Sequence, residues 1–166
     1  MALIKLIMNN RKKYGGYVVH ISILLVAIGV IGINFYQIKV DKVLSVGEEV
    51  NVGKYIVELI EIDENEYNDR REKIATFLVK NNENEVITTM SGNNTFYPSF
   101  NMASIRAAIH SNPVEDLYII PSDFLSNTDM KLIISINPLV WWMWLGGPIF
   151  ITGTLISLWP YRDRKG

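Results

Sequence analysis

The chain of 166 residues carries 16 lysines and arginines against 17 aspartates and glutamates, and it has no cysteine. Its length suits one domain with appendages, its 49% hydrophobic content excludes a disordered chain, and its balanced charge argues against a nucleic-acid partner. Charged residues are absent from residues 14–38 and 132–161. Each gap exceeds the roughly 20 apolar residues that cross a bilayer, so the sequence predicts a membrane protein.

The first 16 residues are predicted to be a cytoplasmic segment, because they hold four basic residues and no acidic one. Residues 17–36 follow as the first transmembrane helix. A cleavable signal peptide is the alternative interpretation. Its apolar region would span about 7–15 residues, which is shorter than this stretch.

Residues 37–137 are predicted to form an extracytoplasmic β-rich domain. Residues 39–131 contain 9 basic and 16 acidic residues, and the positive-inside rule places such an acidic segment outside while the basic termini stay in the cytoplasm. We therefore expect a multi-pass protein of the inner (cytoplasmic) membrane. Both termini are expected in the cytoplasm and the central domain in the periplasm or exterior.

Six short strands are expected in this domain, because apolar and polar residues alternate between clusters of turn residues. They cover residues 39–46, 55–60, 73–80, 86–90, 117–120 and 131–136. The third and fourth strands surround the turn residues 81–84 and predict a β-hairpin. The predicted fold class is therefore an α+β membrane protein, with two transmembrane helices flanking a small antiparallel β barrel or sandwich.

Other parts of the domain carry weaker patterns. One short helix is expected over residues 99–110, since apolar residues recur there at helical spacing. The acidic run over residues 63–72 is interpreted as a solvated loop, and His110 is expected at the surface. The domain sequence has no metal-ligand spacing of His, Cys and carboxylates and no nucleophile or phosphate-binding motif. No catalytic residue is therefore predicted.

The second transmembrane helix is predicted over residues 138–159, with Asn137 as its cap and Pro138 in its first turn. Aromatic residues stand at both ends of this span, namely Trp141, Trp142 and Trp144 at one end and Trp159 and Tyr161 at the other. Such clusters resemble the aromatic belts of membrane interfaces. Residues 160–166 are predicted to be a cytoplasmic tail.

His20 is the candidate binding residue, because it is an ionisable side chain within the first apolar span. Such a group costs a few kcal/mol unless it is neutral or partnered, so it indicates function. At about 100° per residue, Gly16 and Ala27 share its stripe with Leu24 and Ile31, so that small residues flank the imidazole and leave room for a flat macrocycle. Histidine commonly holds haem iron. The alternative is a neutral histidine that is hydrogen-bonded to another helix.

A second stripe of small residues, Gly15, Ser22 and Gly29, lies nearly opposite the first, and the second span contains Gly146 and Gly153. Small residues allow transmembrane helices to approach closely. The two helices can therefore pair. Packing surfaces on several sides favour a larger bundle to which both helices belong.

Three motifs carry a family resemblance. The first is residues 11–20, Arg-Lys-Lys-Tyr-Gly-Gly-Tyr-Val-Val-His. The others are Asp116-Leu117-Tyr118 and residues 137–147, Asn-Pro-Leu-Val-Trp-Trp-Met-Trp-Leu-Gly-Gly. They resemble, in order and spacing, the last-but-one transmembrane helix and the final stretch of CcmF-type cytochrome c biogenesis proteins, where Asp-Leu-Tyr precedes Pro-Leu-Val-x-Trp-x-Trp-x-Gly-Gly.

The resemblance implies the haem-lyase system, which attaches haem covalently to apocytochrome c on the outer side of the membrane. In that family, the histidine that matches His20 is an axial ligand of a b-type haem within the helix bundle. We therefore expect His20 to bind haem iron, with the haem shared with partner segments. The remaining CcmF-type segments on a separate chain, a haem chaperone and apocytochrome c are the expected partners.

Family members also carry a tryptophan-rich haem-handling segment with a Trp-Trp-Asp core, and many further helices, which this sequence lacks. Here Trp142 is followed by Met143. The resemblance thus implies a C-terminal part, either a split subunit or a truncated reading frame, that is not catalytic alone. The alternative is a two-pass membrane scaffold whose β domain binds a protein partner without haem.

Overall fold

The computed structural model describes residues 10–159, which form two compact units. One unit contains two helices, α1 (Arg11–Tyr36) and α2 (Val140–Leu158). Both helices are long and apolar enough to cross a membrane. The other unit, Gln37–Asn137, is built of β-strands.

The β unit is a sandwich of two antiparallel sheets. In chain order its strands are β1 (Ile38–Ser45), β2 (Glu49–Val52), β3 (Tyr55–Glu66), β4 (Arg71–Asn81), β5 (Val86–Tyr97), β6 (Met102–Arg106), β7 (Ala108–Ser111), β8 (Glu115–Phe124) and β9 (Asp129–Pro138). One sheet has the order β1-β9-β8-β7 and the other the order β2-β3-β4-β5-β6. The predicted fold class, two apolar helices flanking an antiparallel β-sandwich, is confirmed.

The core lies between the two sheets and is filled by alternate residues of their strands. In the five-stranded sheet, Phe77 of β4 lies opposite Leu59 of β3 on one side and Met90 of β5 on the other. The opposing sheet contributes Leu117, Ile119, Met130, Leu132 and Ile134, all fully buried. The hydrophobic core of the sandwich thus comes from residues within its own unit.

All six predicted strands are present, as β1, β3, β4, β5, β8 and β9. The predicted hairpin is confirmed, since β4 and β5 are adjacent and antiparallel, with Val79 opposite Thr88 close to the turn. The strands β2, β6 and β7 were not predicted. They have four or five residues each, which is too short for alternation to stand out.

The helix predicted over residues 99–110 is wrong. A short 3-10 helix, Pro98–Phe100, is followed by β6 and β7. The backbone of β6 pairs with that of β5. The apolar residues whose spacing suggested a helix are exposed, with Met102 at 57%, Ile105 at 46% and Ile109 at 52%. Because these apolar residues are not buried, their helical spacing does not stabilise a helix, and pairing with β5 decides the local structure.

The predicted start of the second helix is also wrong. Asn137 and Pro138 end β9, and the residue that caps α2 is Leu139, with a left-handed φ of 63°. Asn137 does not cap the helix, because its Oδ1 accepts hydrogen bonds from Gln37 Nε2 at 2.5 Å and Ser135 Oγ at 3.1 Å. At the other end, α1 begins at Arg11, within the predicted cytoplasmic segment. Residues 1–9 and the predicted tail, 160–166, lie outside the described residues.

Asp129 fixes the start of β9 through its carboxylate. Its Oδ1 accepts a hydrogen bond from Ser45 Oγ at 2.7 Å and its Oδ2 accepts one from Ser126 Oγ at 2.8 Å. These bonds, first that from Ser45, hold the pKa of Asp129 below its usual value. A lowered folded-state pKa contributes stability above the unfolded pKa of about 3.9 and loses it as the pH falls below that value.

The Asp129→Asn variant is therefore expected to lose less stability than the wild type between neutral pH and about pH 3. The measurement is the thermal midpoint of the full chain at several pH values. An equal acid-dependent fall in both proteins would contradict the assignment.

Candidate functional site

The contact between α1 and α2 is lined with small residues. The buried residues of α1 are Gly15, Ser22, Gly29 and Gly32, and those of α2 include Gly146 and Gly153. A methyl group on Gly29 would lie 2.7 Å from Met143 Cβ, and one on Gly153 would lie 3.0 Å from the Val19 backbone nitrogen. The predicted close approach of the two helices through these residues is confirmed.

His20 lies on the face of α1 turned away from this contact. Its side chain is exposed, as are those of Leu24 (63%) and Ile31 (49%) on the same stripe. A methyl group on Gly16, one turn before His20, would have no atom within 4 Å. The predicted stripe is therefore an open surface within the described part of the chain, with space beside the imidazole.

The hydrogen bond of His20 determines which ring nitrogen is free. Nδ1 lies 2.8 Å from the carbonyl oxygen of Gly16. Because a carbonyl oxygen only accepts, Nδ1 carries a proton, and the tautomer that can bind a metal is the one with its lone pair on Nε2. This arrangement is common in metal-binding histidines, whose second nitrogen is fixed by a backbone carbonyl.

Four other polar side chains in the helices donate to nearby carbonyl oxygens of the same helix. Asn34 Nδ2 donates to Val30 O at 2.8 Å, and Thr152 Oγ1 donates to the Pro148 carbonyl at 2.8 Å. Ser22 and Thr154 likewise donate to carbonyls of their own helices. Nε2 of His20, by contrast, has no hydrogen-bond partner within residues 10–159. It is thus available to an external ligand.

A single imidazole supplies one ligand to a metal centre. Within residues 10–159, no group of three or more His, Cys, Asp or Glu side chains is placed to hold a metal ion. A haem brings four nitrogen ligands of its own and needs only axial ligands from protein. An exposed imidazole beside a small residue fits one axial position, and the Nε2 atom of His20 would hold the iron there.

The other histidine, His110, belongs to the β unit. It lies in β7 opposite Leu117, a fully buried core residue, and is itself half-buried. The expected surface position is therefore only partly correct. The register of β7, which the sequence did not predict, accounts for the difference.

The acidic run over residues 63–72 was expected to be a solvated loop, and this expectation is wrong. It forms the ends of β3 and β4, and only residues 67–70 connect them. Glu64 pairs with Lys73 at 3.4 Å and Glu66 with Arg71 at 3.1 Å. Cross-strand pairs therefore neutralise part of the run.

A partly buried polar cluster near the start of β8 was not anticipated. Glu115 Oε1 lies 3.0 Å from Lys54 Nζ, and Asn112 Nδ2 donates to the Tyr55 hydroxyl at 3.4 Å. Burial, together with a hydrogen bond to Glu115, raises the pKa of Tyr55 to about 12. The network stabilises the junction of β3 and β8.

Asp116, of the Asp116-Leu117-Tyr118 motif, is only 4% exposed. Its Oδ1 has no hydrogen-bond partner in the described part of the chain. Burial, and then the charge of Asp116, raise the pKa of Tyr118. In the sequence, only the family motif drew attention to Asp116 and Tyr118. Their burial depends on tertiary packing, which cannot be read from the sequence.

The fold and the helix face together define a class of membrane protein, in which two apolar helices carry an antiparallel β-sandwich and one helix presents a histidine. The chain belongs to the CcmF C-terminal β-sandwich family, whose model matches residues 35–138.

Known proteins resemble the chain beyond the sandwich. It is 24% identical, over 93% of its length, to the cytochrome c-type biogenesis protein CcmF of Haemophilus influenzae, and 23% identical, over 92%, to CcmF of Escherichia coli. It is also 23% identical to the cytochrome c-type biogenesis protein CycK of Rhizobium meliloti, over 94% of its length. The chain spans about a quarter of these relatives, namely 24%, 23% and 23% of their lengths.

A solved structure, the cytochrome c heme lyase CcmF, has the same fold. It superposes with a TM-score of 0.74 over 92% of this chain, at 23% sequence identity. The match covers 26% of that protein. Both helices and the sandwich are thus found together in a much longer protein.

Proposed function

We propose that the chain is the C-terminal portion, or a split subunit, of a cytochrome c haem lyase complex of the inner membrane. It contributes one axial ligand to a b-type haem in a helix bundle while haem is attached covalently to apocytochrome c on the outer side. The chain is a subunit of this assembly and is not catalytic alone.

The observation that carries this proposal is the state of His20. Its Nδ1 is bound to the Gly16 carbonyl at 2.8 Å, which leaves Nε2 as an acceptor on an open helix face. An exposed imidazole within an apolar helix is costly in lipid unless a partner covers it. A haem supplies both the iron and the apolar surface that such a face needs.

The missing parts of the assembly define its partners. The relatives are about four times as long as this chain, and the chain has no second histidine in its described helices. The second axial ligand is proposed to come from the remaining CcmF-type segments, on a partner chain. A haem chaperone and apocytochrome c complete the proposed set of partners.

The orientation proposed from charge has both termini in the cytoplasm and the β-sandwich in the periplasm. Because the chain contains no native cysteine, single-cysteine labelling reports this directly. Asn82→Cys, at the exposed β4–β5 turn, is expected to react with an impermeant thiol reagent in cells with a permeable outer layer. Gly166→Cys is expected to react only in inverted vesicles, and the reverse pattern would refute the orientation.

The second candidate function is a two-pass scaffold that never binds haem. The exposed apolar residues of the sandwich, among them Phe100 at 77%, favour a protein-binding role. In a scaffold, His20 would be interchangeable with any residue that packs on a neighbouring helix.

One experiment separates the two functions. In the complex purified with its membrane partners, His20→Ala is expected to remove or weaken the b-haem absorption and to lower cytochrome c maturation. Leu24→Ala, one turn further along the same exposed stripe, is the matched control and is expected to change neither. A wild-type haem spectrum in the His20→Ala complex would favour the scaffold.

A further inference from the structure

The strand β6 leaves one edge of the sandwich open. It is the last strand of the five-stranded sheet, and all five of its residues are exposed. Its inner neighbour is β5, with which it pairs from Asn93↔Arg106 to Tyr97↔Met102. The backbone groups on the other side of β6 have no strand beside them in the described chain, so they are free to pair with an added strand.

This edge lacks two of the usual protections against added strands, namely several charges and a proline. Natural edge strands carry charges or proline, or they are very short. Lys39, Asp41 and Lys42 lie on β1, and Glu49 lies on β2. The strand β6, Met-Ala-Ser-Ile-Arg, has a single charge at its end and no proline.

The apolar residues around β6 are unusually exposed for a folded domain. Phe100 is 77% exposed, Met102 is 57% exposed and Ile105 is 46% exposed. Met102 and Ile105 project from opposite sides of the strand, since side chains alternate. A peptide added at this edge would therefore find an apolar neighbour on each face of the sheet.

Charge restricts which polypeptide suits this edge. Residues 86–114 contain one charged residue, Arg106, whereas the rest of residues 39–131 contains 16 acidic and 8 basic residues. The uncharged edge thus lies within an acidic domain. A basic segment is attracted by this field, an acidic segment is repelled, and a neutral apolar segment meets no electrostatic barrier.

We propose that β6 is a docking edge for an extended, neutral-to-basic segment of an unfolded polypeptide, which it binds by adding a strand to the sheet. An extended segment of an unfolded chain offers a free strand with backbone donors exposed on both of its edges. The inference rests on the proposed function, because the natural occupant would be the apocytochrome substrate before haem attachment.

The probe is a fluorescein-labelled peptide that alternates valine and threonine, with a lysine at each end. Binding is measured by fluorescence anisotropy to the full chain in nanodiscs of uncharged lipid, with empty nanodiscs as the control. A peptide with glutamate at both ends is expected to bind more weakly. A peptide with two adjacent N-methylated residues at its centre loses one donor from each of its edges, and the methyl groups block a close approach there, so it is expected not to bind.

Two proline variants identify the edge that is used. In an antiparallel strand, successive backbone N–H groups point to opposite edges. One of the two variants, Ala103→Pro or Ser104→Pro, therefore removes a backbone hydrogen bond to β5, and the other removes an N–H group only from the open edge. The variant that keeps the wild-type thermal midpoint is the outward one. It is expected to bind the lysine-ended peptide at least about tenfold more weakly, whereas Asn82→Pro, at the distant β4–β5 turn, is expected to bind as the wild type does.

Each contrary result overturns the proposal. Absence of peptide binding by the wild type, or unchanged binding by the outward proline variant, would show that β6 is not a docking edge. A third contrary result is a wild type that is dimeric and binds no peptide, together with an outward proline variant that is monomeric. It would identify a second copy of the chain as the occupant. None of these results involves the haem spectrum of the His20 variants, so failure here is distinguishable from failure of the proposed function.

Discussion

The Phe77→Ala variant is expected to lose about 3–5 kcal/mol of the free energy of unfolding of the sandwich. Phe77 is fully buried at the centre of the five-stranded sheet, between Leu59 and Met90. Its removal leaves a cavity that strands on both sides cannot close. Since domains of this size have about 5–15 kcal/mol of stability in total, a large part is lost.

The measurement is thermal unfolding of the full chain in detergent, followed in the β-sheet region of the circular dichroism spectrum. Phe100→Ala is the matched control, because it removes the same side chain from a position that is 77% exposed. We expect the control to unfold close to the wild-type midpoint. Equal midpoints for the two variants would show that the core is not where the structure places it.

The second large effect is expected from Gly29→Leu in α1. Even a methyl group at Gly29 would lie 2.7 Å from Met143 Cβ and 3.0 Å from the Met143 nitrogen. The obstruction includes backbone, which cannot rotate away, so the helices must move apart. We expect a loss of at least about 2 kcal/mol from the helix pair, at the upper end for overpacked contacts.

Tryptophan fluorescence reports this change selectively, because all four tryptophans, Trp141, Trp142, Trp144 and Trp159, lie in or beside α2. Gly29→Leu is expected to shift the emission and to lower the midpoint of the tryptophan transition. Gly147→Leu is the control, since a methyl group at Gly147 has no atom within 4 Å. An unchanged emission and midpoint in Gly29→Leu would rule out the close helix contact.

The parts of the fold that the sequence predicted are those with local signals. The β4–β5 hairpin follows from alternating residues around a turn of Asn and Glu residues, and the helices follow from uninterrupted apolar runs. The strands β6 and β7 were missed because they have only five and four residues, and because the five residues of β6 are all exposed and show no alternation. The start of α2 was missed because no local rule predicts Leu139 at φ 63°.

Of the candidate site, the helix face that carries His20 was predictable from a local pattern. Helical periodicity placed His20 on a stripe with Gly16, opposite the contact stripe of Gly15 and Gly29, and the structure has both faces as expected. The free Nε2 was not predictable, because it depends on the hydrogen bond to the Gly16 carbonyl. The buried carboxylate of Asp116 was equally hidden, since a motif does not reveal which atoms the fold leaves without partners.

The most direct measurement of the central claim is the absorption spectrum of a His20→Gly complex with and without added imidazole. If the imidazole of His20 binds the haem iron, this variant has a weakened b-haem spectrum, and free imidazole, which fills the vacated position, restores it. The matched Leu24→Gly complex is expected to keep the wild-type spectrum without imidazole. A His20→Gly complex with a wild-type spectrum, or one that imidazole leaves unchanged, would contradict the assignment of His20 as an axial ligand.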